Sequence, residues 1–273
     1  MPSDIAHALE RLQAGVAVRP EVAYFASVAS TNDIAARLAE RGAPHRTAVV
    51  AEQQTAGRGR LGRTWFSPPG AGLYVSFVLR PALGPGRITG LTDGPGPITG
   101  RFAALVSITA GVAFTEAVRM CTHLPVAIKW PNDLVIDRRK LAGILTEAPG
   151  GRFEYLIVGF GLNLRSAAYP PEIADRATSI EAELGRSIDR GAILAQCLES
   201  MALWTDALRA GKAEAILDRW RSLAPSARGA RVEWTDAAGP REGVTEGIDD
   251  GGALMVRTAG GVERIIAGEV KWL

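Results

Sequence analysis

The chain has few of the residues from which disulfide frameworks, metal sites and histidine-based catalytic groups are built. Its only cysteines, Cys121 and Cys197, lie far apart in apolar helical surroundings, which is typical of buried free thiols in a reducing compartment. The three histidines, His7, His45 and His123, are scattered along the chain. The sequence therefore indicates neither a zinc site nor a Ser-His-Asp arrangement.

The chain also lacks a strong charge imbalance and a long apolar segment. It carries 31 Lys and Arg against 29 Asp and Glu, and residues 225–273 hold 6 basic and 8 acidic residues, so no basic nucleic-acid arm is predicted. The first 13 residues lack the apolar core of a signal peptide. The longest uncharged helical stretch, Phe102–Thr115, has 14 residues, fewer than the ~20 of a membrane span. We expect a cytoplasmic protein without nucleic-acid or membrane partners.

The pattern of predicted elements changes near Ala224, and this change divides the chain in two. Helices are predicted at 3–14, 30–42, 102–120, 187–210 and 212–223, and strands at 21–28, 48–53, 73–79, 125–130, 134–137, 141–147 and 154–160. After Pro225, four short strands separated by glycine-rich turns are typical of a small β-barrel. Between residues 81 and 101, 10 of 21 residues are Gly or Pro, which predicts an irregular insertion.

The most informative segment is a loop rich in arginine and glycine. Residues 57–63 (GRGRLGR) place three arginines and three glycines in seven positions, and Trp65-Phe66-Ser67-Pro68 follows. Glycine lets the backbone approach a ligand closely, and guanidinium groups match the geometry of carboxylates and phosphates. The loop is therefore suited to binding two anions at once.

Two familiar glycine motifs fit this loop poorly. The glycines at 57, 59 and 62 have the dinucleotide spacing, but residues 65–70 (WFSPPG) exclude the helix that this motif needs, and residues 65–91 contain no Asp or Glu. As a P-loop the segment has Arg63 in place of lysine, and it lacks the helix whose N-terminus would hold the phosphates. Neither nucleotide motif explains the segment.

Three further segments carry polar groups at the ends of predicted elements. In Lys129-Trp130-Pro131-Asn132-Asp133 the proline ends a strand. Its lysine suits a phosphate and its aspartate suits Mg²⁺ on a nucleotide, although an exposed ion pair is the commoner outcome of such a pattern. Gly159-Phe160-Gly161-Leu162-Asn163 allows a ring to approach and offers an amide. Ser30-Thr31-Asn32 is predicted to cap a helix, with a capping box to Asp33, or to bind a polar ligand with the same groups.

In order and spacing, these segments resemble the bacterial biotin protein ligases over nearly the whole chain. The matching motifs are Ser30-Thr31-Asn32, Gly57-Arg58-Gly59-Arg60 with Gly62-Arg63 and Trp65-Phe66-Ser67-Pro68, Lys129-Trp130-Pro131-Asn132-Asp133, Lys140-Leu141-Ala142-Gly143-Ile144-Leu145, and Gly159-x-Gly161-x-Asn163. The resemblance implies an α+β fold: a mixed-sheet catalytic domain with flanking helices over residues 1–224, and a small SH3-like β-barrel over residues 225–273. It also implies a monofunctional ligase, because the segment before the first strand is too short for the DNA-binding domain of some members.

The resemblance implies a two-step reaction that uses ATP and Mg²⁺ and needs no structural metal. Biotin is activated as biotinyl-5′-AMP and then transferred to a lysine of the biotin carboxyl carrier domain of acetyl-CoA carboxylase or a related carboxylase, by a monomer or homodimer. The implied biotin contacts are Ser30, Thr31, Asn32, Gln54, Arg58, Gly59, Arg60 and Lys140. The implied ATP contacts are Arg58, Trp65, Lys129, Asn132, Gly143 and Asn163. Arg60 and Lys129 are the implied catalytic residues. Asp133 contributes to magnesium binding or only orients Lys129 or Lys140.

Three other classes of function are opposed by particular features. Lipoate ligases and octanoyltransferases share the implied fold, but they lack the arginine–glycine loop followed by Trp-Phe-Ser-Pro. A nucleic-acid-binding module is opposed by the near-neutral charge and the acidic C-terminal tail. A degenerate ligase that binds biotin without turnover is opposed by the presence of Arg60, Lys129 and Lys140.

Overall fold

The computed structural model of the protein describes residues 1–13, 20–80, 100–149, 154–166, 169–236, 239–266 and 268–273. Its larger sheet contains β1 (Val22–Phe25), β2 (Ala48–Ala51), β3 (Gly72–Leu79), β4 (Ala127–Lys129), β5 (Asp133–Ile136), β6 (Arg139–Glu147) and β7 (Leu156–Asn163). The strand order is β1-β2-β3-β7-β6-β5-β4. β1 and β2 pair in parallel, and the other neighbours pair antiparallel. The expected mixed sheet is confirmed.

Helices cover both faces of this sheet. They are α1 (Ser3–Gln13), α2 (Thr31–Glu40), α3 (Gly100–Thr122), α4 (Pro171–Ala174), α5 (Ile180–Leu184), α6 (Arg190–Arg209) and α7 (Ala213–Leu223). α3 and α6 pack together on one face, and α2 packs on the other. Successive side chains of a strand point to opposite faces of the sheet. Phe77 and Val158 therefore pack in the α3 cluster, and Val78 and Ile157 pack in the α2 cluster. All eight residues of β3 and of β7 are therefore buried.

α3 is the central helix of the core. The ring of Phe114 stacks on Phe160 with centroids 4.0 Å apart and contacts Phe77 at 5.6 Å. The segment Phe102–Thr122 is long and apolar enough to cross a membrane, but 72% of its most apolar window is buried inside the protein. The expectation of too short an apolar stretch was therefore wrong, since the helix continues through Glu116. Its burial is that of a core helix.

The C-terminal part forms a five-stranded antiparallel sheet. Its strands are β8 (Arg228–Asp236), β9 (Gly239–Ile248), β10 (Leu254–Thr258), β11 (Gly261–Ile265) and β12 (Val270–Trp272), in the order β11-β10-β9-β8-β12. Over the described residues no ladder joins β11 to β12, so the hydrogen bonds leave the expected barrel open. The domain boundary at residue 225 stays a prediction.

The two sheets meet at the turn between β9 and β10. Asp249 Oδ1 accepts hydrogen bonds from the backbone N–H groups of Gly251 and Ala253 (2.8 and 2.9 Å), which shapes the turn. Trp130 Nε1 donates to Gly252 O at 3.0 Å. Gly252 has φ +81, and a Cβ there would lie 3.1 Å from Cγ1 of Ile108 on α3. The turn thus holds the smaller sheet against α3 and against the end of β4.

Three short elements and one side-chain environment differ from the sequence-based expectation. α4, α5 and β12 were not predicted, because elements of three to five residues are too short to show a periodic pattern. Cys121 and Cys197 are both free, but only Cys197 is fully buried, whereas Cys121 is half-buried. The predicted irregular insertion falls outside the described residues up to residue 99, and its last two residues begin α3.

Candidate active site

A cavity of about 350 Å³ brings together all the residues predicted for the site. It is lined by Ser30, Thr31, Asn32, Gln54, Arg58, Gly59, Arg60, Trp65, Lys129, Asn132, Asp133, Lys140, Gly143 and Asn163, among others. The contributing elements are the start of α2, the arginine–glycine loop, the β4–β5 turn, and the middle of β6 and β7. Segments that are distant in sequence therefore converge on one cavity.

Glycines on β6 and β7 form the floor of this cavity. Gly143 pairs with Gly161, and Leu145 pairs with Gly159 two positions along the ladder. A Cβ at Gly159 would lie 2.4 Å from Asn32 Oδ1, and one at Gly161 would lie 2.3 Å from Trp65 Nε1. Asn32 and Trp65 therefore rest on neighbouring positions of one face, about 7 Å apart along the strand. Any side chain at these two glycines would displace them.

At the Asn32 position, four polar side chains form what we call the amide end: Thr31, Asn32, Gln54 and Ser76. Gln54 Oε1 accepts from the N–H and hydroxyl of Thr31 (2.9 and 3.0 Å). The Ser76 hydroxyl lies 2.7 Å from Thr31 Oγ1 and 2.5 Å from Asn32 Oδ1. Asn32 Nδ2 donates to Glu147 Oε2 at 2.5 Å. The amide end thus presents neutral donors and acceptors held by one another.

The predicted capping box at the start of α2 is wrong. Ser30 occupies the N-cap position in an extended conformation, but its side chain makes no capping hydrogen bond. Asp33 instead accepts two hydrogen bonds from the guanidinium of Arg58 (3.0 and 2.7 Å). Arg58 also contacts Glu147 at 3.2 Å. The hydrogen bond to Asp33 raises the pKa of Arg58, and the side chain ties the arginine–glycine loop to α2 and β6.

On the other side of Trp65, four charged side chains form what we call the cationic end: Arg60, Lys129, Asp133 and Lys140. Lys140 Nζ lies 2.6 Å from Asp133 Oδ1 and 5.3 Å from the centroid of the Trp65 ring. Asp133 pairs with Lys129 across the β4–β5 ladder. Arg60 donates to Asn132 Oδ1 at 3.4 Å, and burial lowers its pKa against the opposing effect of Asp133.

Lys129 is held by an aromatic ring. Its Nζ lies 5.0 Å from the ring centroid of Trp272 on β12. Burial lowers the pKa of Lys129, and the nearby Asp133 opposes this shift. The cationic end is therefore completed by a residue of the smaller sheet.

Basic residues outnumber acidic residues around the cavity. The basic lining residues are Arg58, Arg60, Arg63, Lys129, Arg138, Lys140 and Arg176, and the acidic ones are Asp133 and Glu269. Both carboxylates are ion-paired, Asp133 with Lys140 and Glu269 with Arg63. The described part of the chain contains no group of three His, Cys, Asp or Glu residues that could hold a metal ion. The excess positive charge suits a polyanionic ligand, which would itself supply most ligands to a metal.

Two predicted ATP contacts use their amide groups to hold the cavity walls. Asn163 Nδ2 donates to Thr178 O (2.9 Å) and Lys140 O (3.4 Å), which joins residues 176–178 to β6. Asn132 Nδ2 donates to Ile144 O at 2.7 Å, which joins the β4–β5 turn to β6. Both amide N–H groups of Asn163 and one of those of Asn132 are therefore engaged with the backbone in this conformation.

Several lining residues were missed by sequence reasoning. They are Leu61, Arg63, Thr64, Phe66, Tyr169, Ile173, Arg176, Ala177, Gly268, Glu269 and Val270. The buried hydroxyl of Tyr169 has no hydrogen-bond partner within the described residues, and its ring meets Phe66 edge-on at 6.4 Å. Residues 169–177 follow β7 without a periodic pattern, and residues 268–270 come from the other sheet. No local signal in the sequence predicts that residues 169–177 or residues 268–270 reach the cavity. Only Phe66 could have been inferred, because it adjoins Trp65.

Comparison with protein families gives two matches along the chain. Residues 24–163 match the biotin/lipoate A/B protein ligase family, and residues 229–271 match the biotin protein ligase C-terminal domain. The first match contains the cavity floor and the arginine–glycine loop. The second ends within β12, one residue before Trp272, which reaches Lys129.

Individual proteins are similar over nearly the whole chain. A biotin–[acetyl-CoA-carboxylase] ligase of Paracoccus denitrificans is 34% identical over 88% of this chain and 96% of its own length. One of Mycobacterium tuberculosis is 32% identical over 90% of this chain and 86% of its own. The structure of a biotin protein ligase from Aquifex aeolicus in complex with biotin and ATP superposes with a TM-score of 0.75 at 29% identity, over 93% of this chain and 98% of that one.

Proposed function

The chain belongs to the biotin/lipoate A/B protein ligase family, and we propose that its cavity carries out both steps of biotin ligation. The protein is a biotin protein ligase, which activates biotin with ATP and transfers it to a lysine of a carboxylase. The observation that carries the proposal is the contrast between the two ends of one cavity. Neutral donors and acceptors suit a cyclic urea, whereas a cluster of cations suits a carboxylate beside a triphosphate.

In the first step, the ureido ring of biotin binds at the amide end. Thr31, Asn32 and Gln54 supply its hydrogen bonds, with Ser30 beside them. The acyl chain then crosses the glycine floor, and its carboxylate reaches the cationic end. There a carboxylate oxygen attacks the α-phosphorus of ATP, the bond to the bridging oxygen breaks, and pyrophosphate leaves.

The lysines and Arg60 make this attack feasible. Two anions repel each other, so positive groups must neutralise them and hold them in line. Lys129 acts at the reacting phosphate, and Lys140 binds the carboxylate from β6, one strand beyond β5. Arg60, a partly buried residue of the arginine–glycine loop, retains the adenylate. Trp65 covers the adenine next to Gly143.

The remaining predicted contacts involve side chains that are already bonded within the protein. Arg58 and Gly59 meet the carboxylate and phosphate from the loop, but the guanidinium of Arg58 is now bound by Asp33 and Glu147. A direct contact of this guanidinium with ligand requires it to leave one carboxylate. Asn163 meets the nucleotide through its amide oxygen, because its N–H groups hold the backbone. Asn132 meets it through its second amide N–H, because its oxygen accepts from Arg60 and its other N–H holds Ile144 O.

The nucleotide would bring magnesium to this site. Mg²⁺ in nucleotide sites is held by one or two carboxylates together with phosphate oxygens. Asp133 fits that role, since it is a carboxylate at the cationic end, within 2.6 Å of Lys140. When bound, the ion would spread the negative charge of the triphosphate. Asp133 also orients Lys140, whether or not the ion is present.

In the second step, the amine of a carrier lysine attacks the anhydride carbonyl, AMP leaves, and the amine loses a proton. We propose that the acceptor is a biotin carboxyl carrier domain. The enzyme would act in the cytoplasm as a monomer or homodimer, independently of membranes and nucleic acid. The water-labile adenylate must be shielded until the carrier arrives, and the loop over the glycine floor is placed to do this.

The proposal is tested by biotin-dependent exchange of labelled pyrophosphate into ATP in the presence of Mg²⁺. This assay needs no carrier protein, and lipoate serves as the matched control. Exchange with biotin alone is expected. Exchange with lipoate but not biotin would move the protein to lipoate chemistry, and no exchange with either from a folded sample would contradict adenylation at this cavity.

A further inference from the structure

The two lysines of the cationic end are held in different ways. Lys140 Nζ forms an ion pair with Asp133 at 2.6 Å and also lies over the Trp65 ring. Lys129 Nζ lies over the Trp272 ring at 5.0 Å, and within the described residues it has no hydrogen-bond acceptor or carboxylate at ion-pair distance. The difference is that a carboxylate compensates the charge of Lys140, whereas an aromatic ring alone lies at contact distance from the charge of Lys129.

An aromatic face holds a cation without consuming its donors. The ring attracts the ammonium through its quadrupole when the charge lies within about 6 Å of the centroid. A carboxylate at ion-pair distance, such as Asp133 beside Lys140, instead compensates the charge of the ammonium directly. Lys129 is therefore fixed in position with its donors free for phosphate oxygens.

Trp272 is itself held in place by three contacts. Its indole N–H donates to Ser226 O at 3.2 Å, and its carbonyl oxygen accepts from Arg138 Nη2 at 3.2 Å. Its backbone pairs with Val232 across the β8–β12 ladder. The ring is thus supported by the smaller sheet and cannot turn away from Lys129 without breaking the indole hydrogen bond.

We propose that Trp272 is a positioning residue for adenylation: its ring holds the charged amine of Lys129 at the cationic end, with the N–H groups directed to the nucleotide phosphates. This inference rests on the proposed function of Lys129. It gives the smaller sheet a direct role in the first step of the reaction.

The charge state of Lys129 depends on groups from every neighbouring element. Asp133 of β5 favours the charged amine, as does Glu269 before β12, whereas Lys140 of β6 and Arg138 of the β5–β6 turn disfavour it. Burial also lowers its pKa. The Trp272 ring favours the charged form, so its loss should lower the pKa of Lys129 further.

The test compares Trp272→Leu with Trp272→Phe. Leucine keeps an apolar side chain and loses the ring, whereas phenylalanine keeps the ring and loses the indole N–H. In pyrophosphate exchange, Trp272→Leu should raise the KM for ATP about 3- to 10-fold and move the alkaline limb of kcat/KM to lower pH by about half a unit. Trp272→Phe should stay within about twofold of the parent.

A readout independent of activity follows the amine itself. The rate at which Lys129 reacts with an amine-labelling reagent, measured by mass spectrometry across pH, reports its pKa in the folded protein. Lys271→Ala, one position earlier on β12 with an exposed side chain paired to Glu233, is the matched control and should behave as the parent. Circular dichroism confirms that each variant is folded.

The outcomes separate this inference from the proposed function. Parental KM and labelling profiles for Trp272→Leu would overturn the inference. Equal losses in the leucine and phenylalanine variants would also overturn it, because packing rather than the ring face would then matter. If the parent protein shows no exchange at all, the proposed function fails, while the labelling profile still tests the contact of Trp272 with Lys129.

Discussion

The two ends of the cavity differ in how completely their polar groups are satisfied by the protein. At the amide end, Thr31, Asn32, Gln54 and Ser76 are bonded to one another and, through Asn32, to Glu147. At the cationic end, Lys129 has no protein acceptor among the described residues, and the basic residues exceed the acidic ones. One end is a preorganised neutral network, and the other holds charge that only a ligand can satisfy.

This difference has an energetic meaning. A hydrogen-bonded network that is already complete must exchange partners with a ligand, so each bond there contributes about 1 kcal/mol net. Charges held in a partly buried site act strongly on charge that develops during the reaction. Substitutions at the amide end should therefore change biotin affinity. Those at the cationic end should change the rate of adenylation, and they should also change biotin affinity where the residue binds the biotin carboxylate, as Lys140 does.

Lys129→Ala should have the largest effect, and that effect should fall on adenylation rather than on biotin binding. Loss of a positioned cation at the reacting phosphate is expected to reduce kcat for pyrophosphate exchange by about 10²- to 10³-fold. The dissociation constant for biotin, measured by calorimetry without ATP, should stay within about twofold, because Lys129 makes no contact with the amide end. Equal losses in affinity and rate would show that the two ends are not separable.

Gly159→Ala should weaken biotin binding by about 10- to 100-fold, the range expected from 1–3 kcal/mol of overpacking. The new Cβ would lie 2.4 Å from Asn32 Oδ1 and would push the amide off its partners. Gly111→Ala on α3 is the control, since its Cβ would meet Ile128 at an ordinary 3.6 Å. Biotin titration by calorimetry distinguishes them, and parental affinity in Gly159→Ala would contradict the assigned floor.

Lys140→Ala should weaken biotin binding and slow exchange together, each by about 10-fold. Its ammonium lies between the Trp65 ring and Asp133, so its removal leaves an unpaired carboxylate where the biotin carboxylate must lie. Arg139→Ala is the matched control, because this neighbour pairs with Glu183 outside the cavity. Unchanged biotin affinity in Lys140→Ala would remove Lys140 from the biotin site.

The site residues that the sequence predicts are those in contiguous motifs, and the ones it misses act through contacts with distant segments. Residues of contiguous motifs, such as Lys129 to Asp133, were all placed at the cavity, because strand ends and glycines mark them locally. Residues whose role depends on contacts with distant parts of the chain were not predicted. Glu147, Ser76 and Trp272 are examples, since they lie inside or at the end of ordinary strands. The capping box failed for the same reason, since Asp33 finds its partner in Arg58, far along the chain.

Ser76→Ala should have the smallest effect and sharpen the comparison most. Removing the hydroxyl leaves the buried amide oxygen of Asn32 without its donor, whereas Thr31 keeps its bonds to Gln54, at a cost of about 1–2 kcal/mol. The free energy of unfolding should fall by that amount, biotin affinity should weaken about 3- to 10-fold, and the KM for ATP should not change. Ser107→Ala removes a similar bond, 2.8 Å to Thr146 Oγ1 on the α3 face, and should lower stability without weakening biotin. If both serine variants affect biotin equally, the amide end is only part of the general core, and its separation from the cationic end is lost.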